Sequence, residues 1–425
     1  MLKTKGINMY TSIVGSFLNS IQALRFYVNS VDDIVFKEDD FIDNNFFMAG
    51  LLHFAKEYKV KNIDVDDITF PNEIRDEIVQ SLKENIKYFG EIVEVSEDGK
   101  TGTYRNLPKT LKQSYIKLEA LQKQNEIIYS GSLMLLVTYF ENTIAKILKA
   151  DLQKYPKRMS LDTKTVSYKM LEMSESIDDV RNLLIENEVM SMMYKSVSDW
   201  IDYFKKSIKL KLKYVTEELP ELTEIIARRN VIVHNDSIVN NIYLNIVDEE
   251  YRSGIKKGDI LNVDKQYILN AIELIESIVL SIIIEMWICD GVKDEKEMDK
   301  ILAIIFDEYL IFEKWENARI LYEVCLENSK LKFSDELLCK INKWQCYKWL
   351  GKFNEIKKEV EGLDISACQP RYKLGVLALL DKYDEFFSYF DEQSDLSVNE
   401  LKDWPLFREV RKNEIYIQRY GINEE

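Results

Sequence analysis

The sequence is poor in the residues that interrupt helices. Its 425 residues include 14 glycines and 6 prolines, whereas 46% of the chain is hydrophobic and 31% is charged. Because glycine and proline are the residues that helix interiors tolerate least, their scarcity beside abundant Leu, Ile, Lys and Glu predicts an all-α protein. A chain of this length can form two or three domains, each with a substantial core.

Patterns that bind metals, form disulfides or hold nucleotides are also absent from the sequence. There are two histidines, and no C-x-x-C pair occurs among the cysteines, which are Cys289, Cys325, Cys339, Cys346 and Cys368. We therefore expect a reduced, cytoplasmic protein with no metal and no other cofactor. A phosphate-binding loop of the G-x-x-x-x-G-K-[ST] type is missing as well, so nothing supports nucleotide hydrolysis.

Long hydrophobic runs are missing too. No stretch reaches the roughly 18 uninterrupted apolar residues of a membrane-spanning helix, so we expect no contact with a membrane. The most apolar segment, residues 275–288, is interrupted by two glutamates and two serines and is typical of a core helix. The apolar stretch after Lys3 and Lys5 is likewise broken by polar residues, so no signal peptide is predicted.

Basic residues are too few to balance the acidic ones, and the net charge at pH 7 is −16. A protein that coats nucleic acid is expected to be basic, so RNA would have to bind in a local cleft with modest, salt-dependent affinity. The densest basic stretch is the lysine segment, residues 204–214, with Lys205, Lys206, Lys209, Lys211 and Lys213. These lysines form either a solvated helix face or a path for an RNA backbone.

Residues 224–236 combine side chains suited to phosphate chemistry. On an α-helix, where each residue advances about 100°, Asn230 and His234 share a face and Arg229 flanks it. Imidazole transfers protons near neutral pH and guanidinium binds phosphate oxygens, the two abilities that metal-free phosphodiester cleavage needs. The same pattern also fits a structural histidine on an amphipathic helix, and the β-branched residues 231–233 fit a short strand.

Neighbouring residues support a helix in this region. Pro220 suits an early helix position, and Glu224 stands four residues before Arg228, which predicts a surface ion pair between them. Arg229 is therefore our candidate for the arginine that binds phosphate, with Arg228 in support.

The string Arg-Arg-Asn-Val-Ile-Val-His-Asn at residues 228–235 resembles the signature helix of HEPN-domain ribonucleases, in which four to six residues separate an arginine from a histidine. The likeness continues through Tyr243 and Gly258. Upstream, residues 135–144 are similar to the first helix of that family, with Glu141 in the place of its buried acidic residue. The resemblance covers roughly residues 129–290.

This resemblance implies a helical-bundle domain that forms homodimers and cleaves RNA, either tRNA or mRNA, without a metal. His234 would be the general acid or base, Arg229 would stabilise the transition state, and Asn230 would orient the imidazole or the substrate. Glu141 is either a solvated charge or a carboxylate that faces this site. The resemblance also implies a growth-arresting toxin in anti-phage defence. Asp236 stands where nucleotidylated relatives carry a tyrosine, so that subtype is not expected.

The flanking regions give less information. Apolar residues at helical spacing over residues 14–27 and 46–55, with a β-hairpin or a loop at residues 92–104, predict a mostly helical sensor or docking region at residues 1–128. In residues 291–425, three segments share an acidic or small residue, a lysine and an aromatic, as in the turns of tetratricopeptide-like repeats. We expect the aromatics to lie in the hairpin core. Either flanking region could bind a protein or phage-derived trigger.

A second function also fits the sequence. The chain could be a non-catalytic scaffold that dimerises and recruits a partner through its C-terminal repeats, with His234 merely packed. A catalytic histidine must be reachable by solvent and phosphate, so the exposure of His234 separates the two hypotheses.

Overall fold

The computed structural model describes residues 9–35, 93–95, 102–104, 109–159, 164–172, 174–252, 254–290, 295–328, 331–364, 366, 368–393 and 396–421. The all-α prediction is confirmed, since helices make up almost all of the regular structure in these residues. The chain divides into two compact units. The first consists of Met1–Ile21, Leu136–Asp259 and Asn270–Glu425, and the second of Gln22–Leu135 and Ile260–Leu269.

The second unit contains parts of helices α1 (Met9–Val35) and α2 (Lys109–Lys154), together with strands β1 (Val93–Val95) and β2 (Gly102–Tyr104). The strands pair in antiparallel register, with Val93 opposite Tyr104, as the predicted hairpin requires. The helix predicted at residues 46–55 lies outside the described residues.

The middle of the chain is a series of helices. It belongs to the first unit, except for residues 260–269, which belong to the second. They are a 3-10 turn (Pro156–Met159), α3 (Tyr168–Glu172), α4 (Ile177–Met193), α5 (Val197–Tyr203), a π-helical turn (Phe204–Ile208), α6 (Lys213–Glu217), α7 (Leu219–His234), α8 (Asn241–Ile246), a 3-10 turn (Glu249–Arg252) and α9 (Lys265–Cys289). On α2, Leu136, Phe140, Ile144 and Leu148 form the predicted buried stripe at four-residue steps.

Helix α9 is a core helix, as its interrupted apolar pattern predicts. Its four interrupting polar side chains are all buried. The hydroxyl of Tyr309 donates to Glu276 Oε1 at 2.8 Å, and the amide of Asn317 donates to Ser277 Oγ at 2.7 Å. Among the described residues α9 is the one helix long and apolar enough to cross a membrane, and 78% of its most apolar stretch is buried within the protein.

The C-terminal part is built from short helices joined by tight turns. They are α10 (Glu295–Ile305), a π-helical turn (Phe306–Leu310), α11 (Trp315–Asn328), α12 (Phe333–Trp349), α13 (Phe353–Glu361), α14 (Pro370–Leu379), α15 (Tyr383–Gln393), α16 (Val398–Asp403), a 3-10 turn (Pro405–Phe407), α17 (Arg408–Arg411) and α18 (Glu414–Tyr420).

The repeated motif marks three turns of the same geometry. Glu313, Gly351 and Asp381 all have left-handed backbone, with φ of 57°, 72° and 57°. In each turn the N–H of the following lysine bonds to the carbonyl five residues earlier, at 2.8–3.0 Å, as in a Schellman motif. The predicted helical hairpins are confirmed. The aromatic that follows each lysine is only partly buried, because it begins the second helix at the edge of the hairpin, so its predicted core position is wrong.

Candidate functional site

Helix α7 carries the arginine, the asparagine and the histidine. Pro220 lies in its first turn, as predicted. The N–H groups of this turn have no partner within the helix, so the missing N–H of proline costs no hydrogen bond there. The helix ends at His234, and soon afterwards Asp236 and Ser237 adopt left-handed backbone, with φ of 49° and 63°. Residues 231–233 are helical, so the short-strand alternative is wrong.

The two faces of α7 have opposite surroundings. The inner face buries Leu222, Glu224, Ile225, Ala227 and Val231. Asn230 and His234 lie together on the exposed face, one turn apart, and Arg229 is partly exposed beside them. This is the arrangement that helical spacing predicts.

Arg229 is held by Glu141 of helix α2. An Nη2–H of Arg229 donates to Glu141 Oε1, and the two side chains keep 20% and 33% of their surface exposed. Of the two interpretations of Glu141, the structure therefore favours a carboxylate that faces the site. The Nε atom of Arg229 is buried and has no hydrogen-bond partner among the described residues.

Arg228 makes a similar pair inside the protein. Its Nε donates to Glu224 Oε1 at 2.8 Å, and the hydroxyl of Tyr243 donates to the same oxygen at 2.8 Å. Burial, and then the Glu224 carboxylate, raise the pKa of Tyr243 well above its usual value, so the phenol stays protonated as a donor. The predicted pair exists, but its side chains are only 12% and 6% exposed, so the predicted surface location is wrong. Tyr243, distant in sequence, covers it.

A cavity of about 1020 Å³ opens beside the exposed face of α7. Its walls include Glu141, Arg229, Asn230 and His234, so all the predicted site residues except Arg228 and the lysines meet there. Two residues that sequence reasoning missed, Tyr194 and Lys195, also line it. The sequence pattern that could have drawn attention to them is Ser-x-x-Asp at residues 196–199. This pattern is a capping box, which marks the start of a new helix directly after Tyr194 and Lys195.

The lysine segment is not part of the cavity wall. Lys206 pairs with Asp202 at 2.7 Å and Lys213 with Glu327 at 3.0 Å, while Lys211 Nζ donates to the carbonyl oxygen of Glu327. Lys205 Nζ donates to Thr216 Oγ1 at 3.2 Å, which places it at the edge of the cavity, because Thr216 lines it. The remaining lysine, Lys209, is exposed.

The segment is also not the continuous helix face that the first of the two interpretations predicted. Its backbone turns left-handed at Lys209 and at Leu212, with φ of 73° and 48°. The reason is a distant carboxylate, since Glu285 of α9 accepts the backbone N–H groups of Lys211 and Leu212 at 2.9 and 3.0 Å. Burial raises the pKa of Glu285 above its usual value, although these two hydrogen bonds act to lower it.

The cavity therefore combines a guanidinium fixed by a carboxylate, an exposed amide and an exposed imidazole. Such a set can bind a phosphate and transfer a proton. Among the described residues no group of three or more histidines, cysteines and carboxylates could hold a metal ion. Comparison with family models, curated proteins and solved structures gives no match to this chain.

Proposed function

We propose that the protein is a metal-independent endoribonuclease of the HEPN type. The observation that carries this proposal is the convergence of Arg229, Asn230, His234 and Glu141 on one cavity, with the imidazole open to solvent. The amino acid types match the family pattern, and their placement matches what phosphate chemistry needs.

In the proposed reaction the ribose 2′-hydroxyl attacks the adjacent phosphorus. His234 takes the proton from that hydroxyl or gives one to the leaving 5′-oxygen. Arg229 binds the non-bridging oxygens and stabilises the charge that develops on them. Asn230, one turn from His234, orients the imidazole or the substrate. The products would carry a 2′,3′-cyclic phosphate and a 5′-hydroxyl, and DNA, which lacks the attacking group, would resist.

The ion pair with Glu141 gives Arg229 a defined orientation before RNA binds. A guanidinium has five N–H donors, so one bond to Glu141 leaves others for a phosphate. A group that is positioned in advance needs less reorganisation in the transition state. We therefore give Glu141 a positioning role and Arg228, which is buried with Glu224, a structural one.

A homodimer would bring two such sites together. Four exposed apolar side chains, Val233, Ile238, Ile242 and Ile246, stand within one short stretch of chain from the end of α7 to the end of α8, and we call them the apolar patch. Ile246 also lines the cavity, so a partner seated on this patch would stand next to the site. Exposed apolar groups that lie close together favour association. The resemblance adds an anti-phage role, as a toxin that acts on tRNA or mRNA in the cytoplasm.

The direct test is cleavage of a tRNA and total-RNA panel in EDTA. We expect the wild type to cut RNA and His234→Ala to lose on the order of 10²–10⁴-fold in rate, as for a lost acid–base group. His53→Ala removes the only other histidine of the chain and serves as the matched control. Equal cleavage by wild type and His234→Ala would contradict the assignment.

The second candidate is the non-catalytic scaffold. The pairing of Lys206 and Lys213 with carboxylates favours it, because these lysines are then less available to RNA. The exposure of His234 counts against it, because this hypothesis expected a packed histidine. Modification by diethyl pyrocarbonate distinguishes them further: a site histidine should react in the folded protein and be protected by RNA.

A further inference from the structure

The junction between α4 and α5 presents an aromatic ring and an amino group at the cavity. Tyr194 is 85% exposed and Lys195 is exposed as well, yet both line the same cavity as Arg229 and His234. Within the described part of the chain, neither the Tyr194 hydroxyl nor the Lys195 ammonium makes a hydrogen bond or ion pair. No polar contact with the described residues therefore accounts for a tyrosine and a lysine at this place.

The backbone that carries these two side chains is firmly held. The N–H groups of Tyr194 and Lys195 bond to the carbonyls of Met190 and Met192 at 3.2 and 2.9 Å. The indole of Trp200, itself buried, donates to Met192 at 2.8 Å.

On the other side of the junction, Ser196 and Asp199 form a capping box, in which the Ser196 N–H donates to Asp199 at 3.0 Å. The hydrogen bonds from Ser196 lower the pKa of Asp199, so the carboxylate is ionised and able to accept them at neutral pH. Tyr194 and Lys195 are thus fixed in position while their side chains remain free, as a preorganised binding residue should be.

The size of the cavity leaves room for more than the reacting phosphate. Its volume of about 1020 Å³ stands at the upper end of the roughly 300–1,000 Å³ of small-molecule pockets. If a scissile phosphate lies at Arg229, a neighbouring nucleotide must lie elsewhere in the same cavity. An exposed tyrosine offers a surface on which any nucleobase can stack, and a lysine beside it offers a charge to the next phosphate.

From this arrangement we infer that Tyr194 stacks on an unpaired nucleobase next to the scissile phosphate and that Lys195 binds the adjoining phosphate. A base can stack on a side chain only when it is free of its own duplex, so the substrate is a single-stranded segment of RNA, such as a loop or an end. This inference rests on the proposed ribonuclease function and adds to it two substrate-binding residues.

The test measures binding, so it does not depend on turnover. A fluorescent single-stranded RNA in which every ribose is 2′-O-methylated cannot be cut, and its dissociation constant follows from anisotropy. We expect Tyr194→Ala to weaken binding about tenfold, the scale of one lost base stack, and Tyr194→Phe to keep wild-type affinity. Tyr168→Ala is the matched control, because Tyr168 is 77% exposed and does not line the cavity.

Three further measurements identify the contacts. The first uses a series of oligonucleotides, each with a base missing at one position. When the missing base is the one that stacks on Tyr194, wild type and Tyr194→Ala should bind with the same dissociation constant. Lys195→Ala should reduce the slope of log affinity against log salt by about 0.7, as for one lost phosphate contact to a single strand. A fully paired duplex should bind wild type and Tyr194→Ala equally.

The outcomes separate this inference from the proposed function. If the wild type binds the single strand and cuts RNA in EDTA, but Tyr194→Ala binds as tightly as wild type, the stacking role is overturned and the ribonuclease assignment stands. If Tyr168→Ala weakens binding as much as Tyr194→Ala, the stacking role is overturned too. If the wild type neither binds nor cuts single-stranded RNA, both proposals fall.

Discussion

The inner and outer faces of α7 each carry an arginine paired with a glutamate, but in different surroundings. On the inner face Arg228 and Glu224 are almost fully buried beneath Tyr243. On the outer face Arg229 and Glu141 border a cavity. The difference teaches that one type of ion pair can stabilise a fold or position a reactive group, depending on whether a ligand can reach it.

Removing one partner of the inner pair should have the largest effect on stability. Glu224→Ala removes the buried carboxylate that accepts from both Arg228 and Tyr243, so we expect the free energy of unfolding to fall by about 3–5 kcal/mol. Urea denaturation followed by circular dichroism measures this. The exposed Glu217→Ala is the control and should stay within about 0.5 kcal/mol of wild type. A loss below about 1 kcal/mol in Glu224→Ala would show that the inner pair is solvated.

The outer pair should behave in the opposite way. Arg229→Ala should lower the rate of RNA cleavage by about 10²–10³-fold, the scale of a lost group that stabilises transition-state charge. Its unfolding free energy should change by about 1 kcal/mol or less, because a partly exposed ion pair contributes little. Cleavage kinetics and urea denaturation on the same preparations check both. A large loss of stability with unchanged kinetics would assign Arg229 to the fold.

The apolar patch beside the outer face should govern association. A charge placed there must be desolvated in an interface, so Ile242→Asp together with Ile246→Asp should weaken the homodimer by at least about tenfold. Sedimentation velocity over a concentration series gives the dimer constant. Ile177→Asp, an exposed isoleucine at the start of α4, is the control. A dimer unaffected by the double substitution would place the interface elsewhere.

Substitutions in the lysine segment should have the smallest effect on the rate of RNA cleavage. Lys206 and Lys213 are paired with carboxylates and lie outside the cavity wall, so the double variant Lys206→Ala, Lys213→Ala should cleave RNA within about twofold of wild type. The comparison is with Lys195→Ala, which removes a charge at the cavity. If the double variant lost more activity than Lys195→Ala, the RNA path along the lysine segment would be supported.

Spacing along the chain was enough to predict some features of α7. Pro220 indicated its beginning, and helical geometry placed Asn230 and His234 on one face. Spacing could not tell which face is buried, because Tyr243 covers Glu224 only after α8 has packed against α7. For the same reason spacing predicted the ion pair of Arg228 with Glu224 but placed it on the surface, whereas the pair is buried.

The lysine segment and Tyr194 show two other limits of sequence reasoning. The left-handed residues of the lysine segment depend on Glu285, which is more than seventy positions away. No local sequence pattern predicts that contact. Tyr194 is an ordinary aromatic at a helix end, and only the cavity beside it distinguishes it from the equally exposed Tyr168.

The hydrogen bonds to Glu285 also decide what the lysine segment can accept. Successive backbone N–H groups beside a left-handed residue form a concave nest that takes up anions, and here lysines surround it. The protein has already filled this nest with a carboxylate of its own, which is buried in α9 and accepts from both Lys211 and Leu212. An incoming phosphate would have to displace the Glu285 carboxylate to reach these two N–H groups, so at this point the lysine segment offers an anion its side chains and not its main chain.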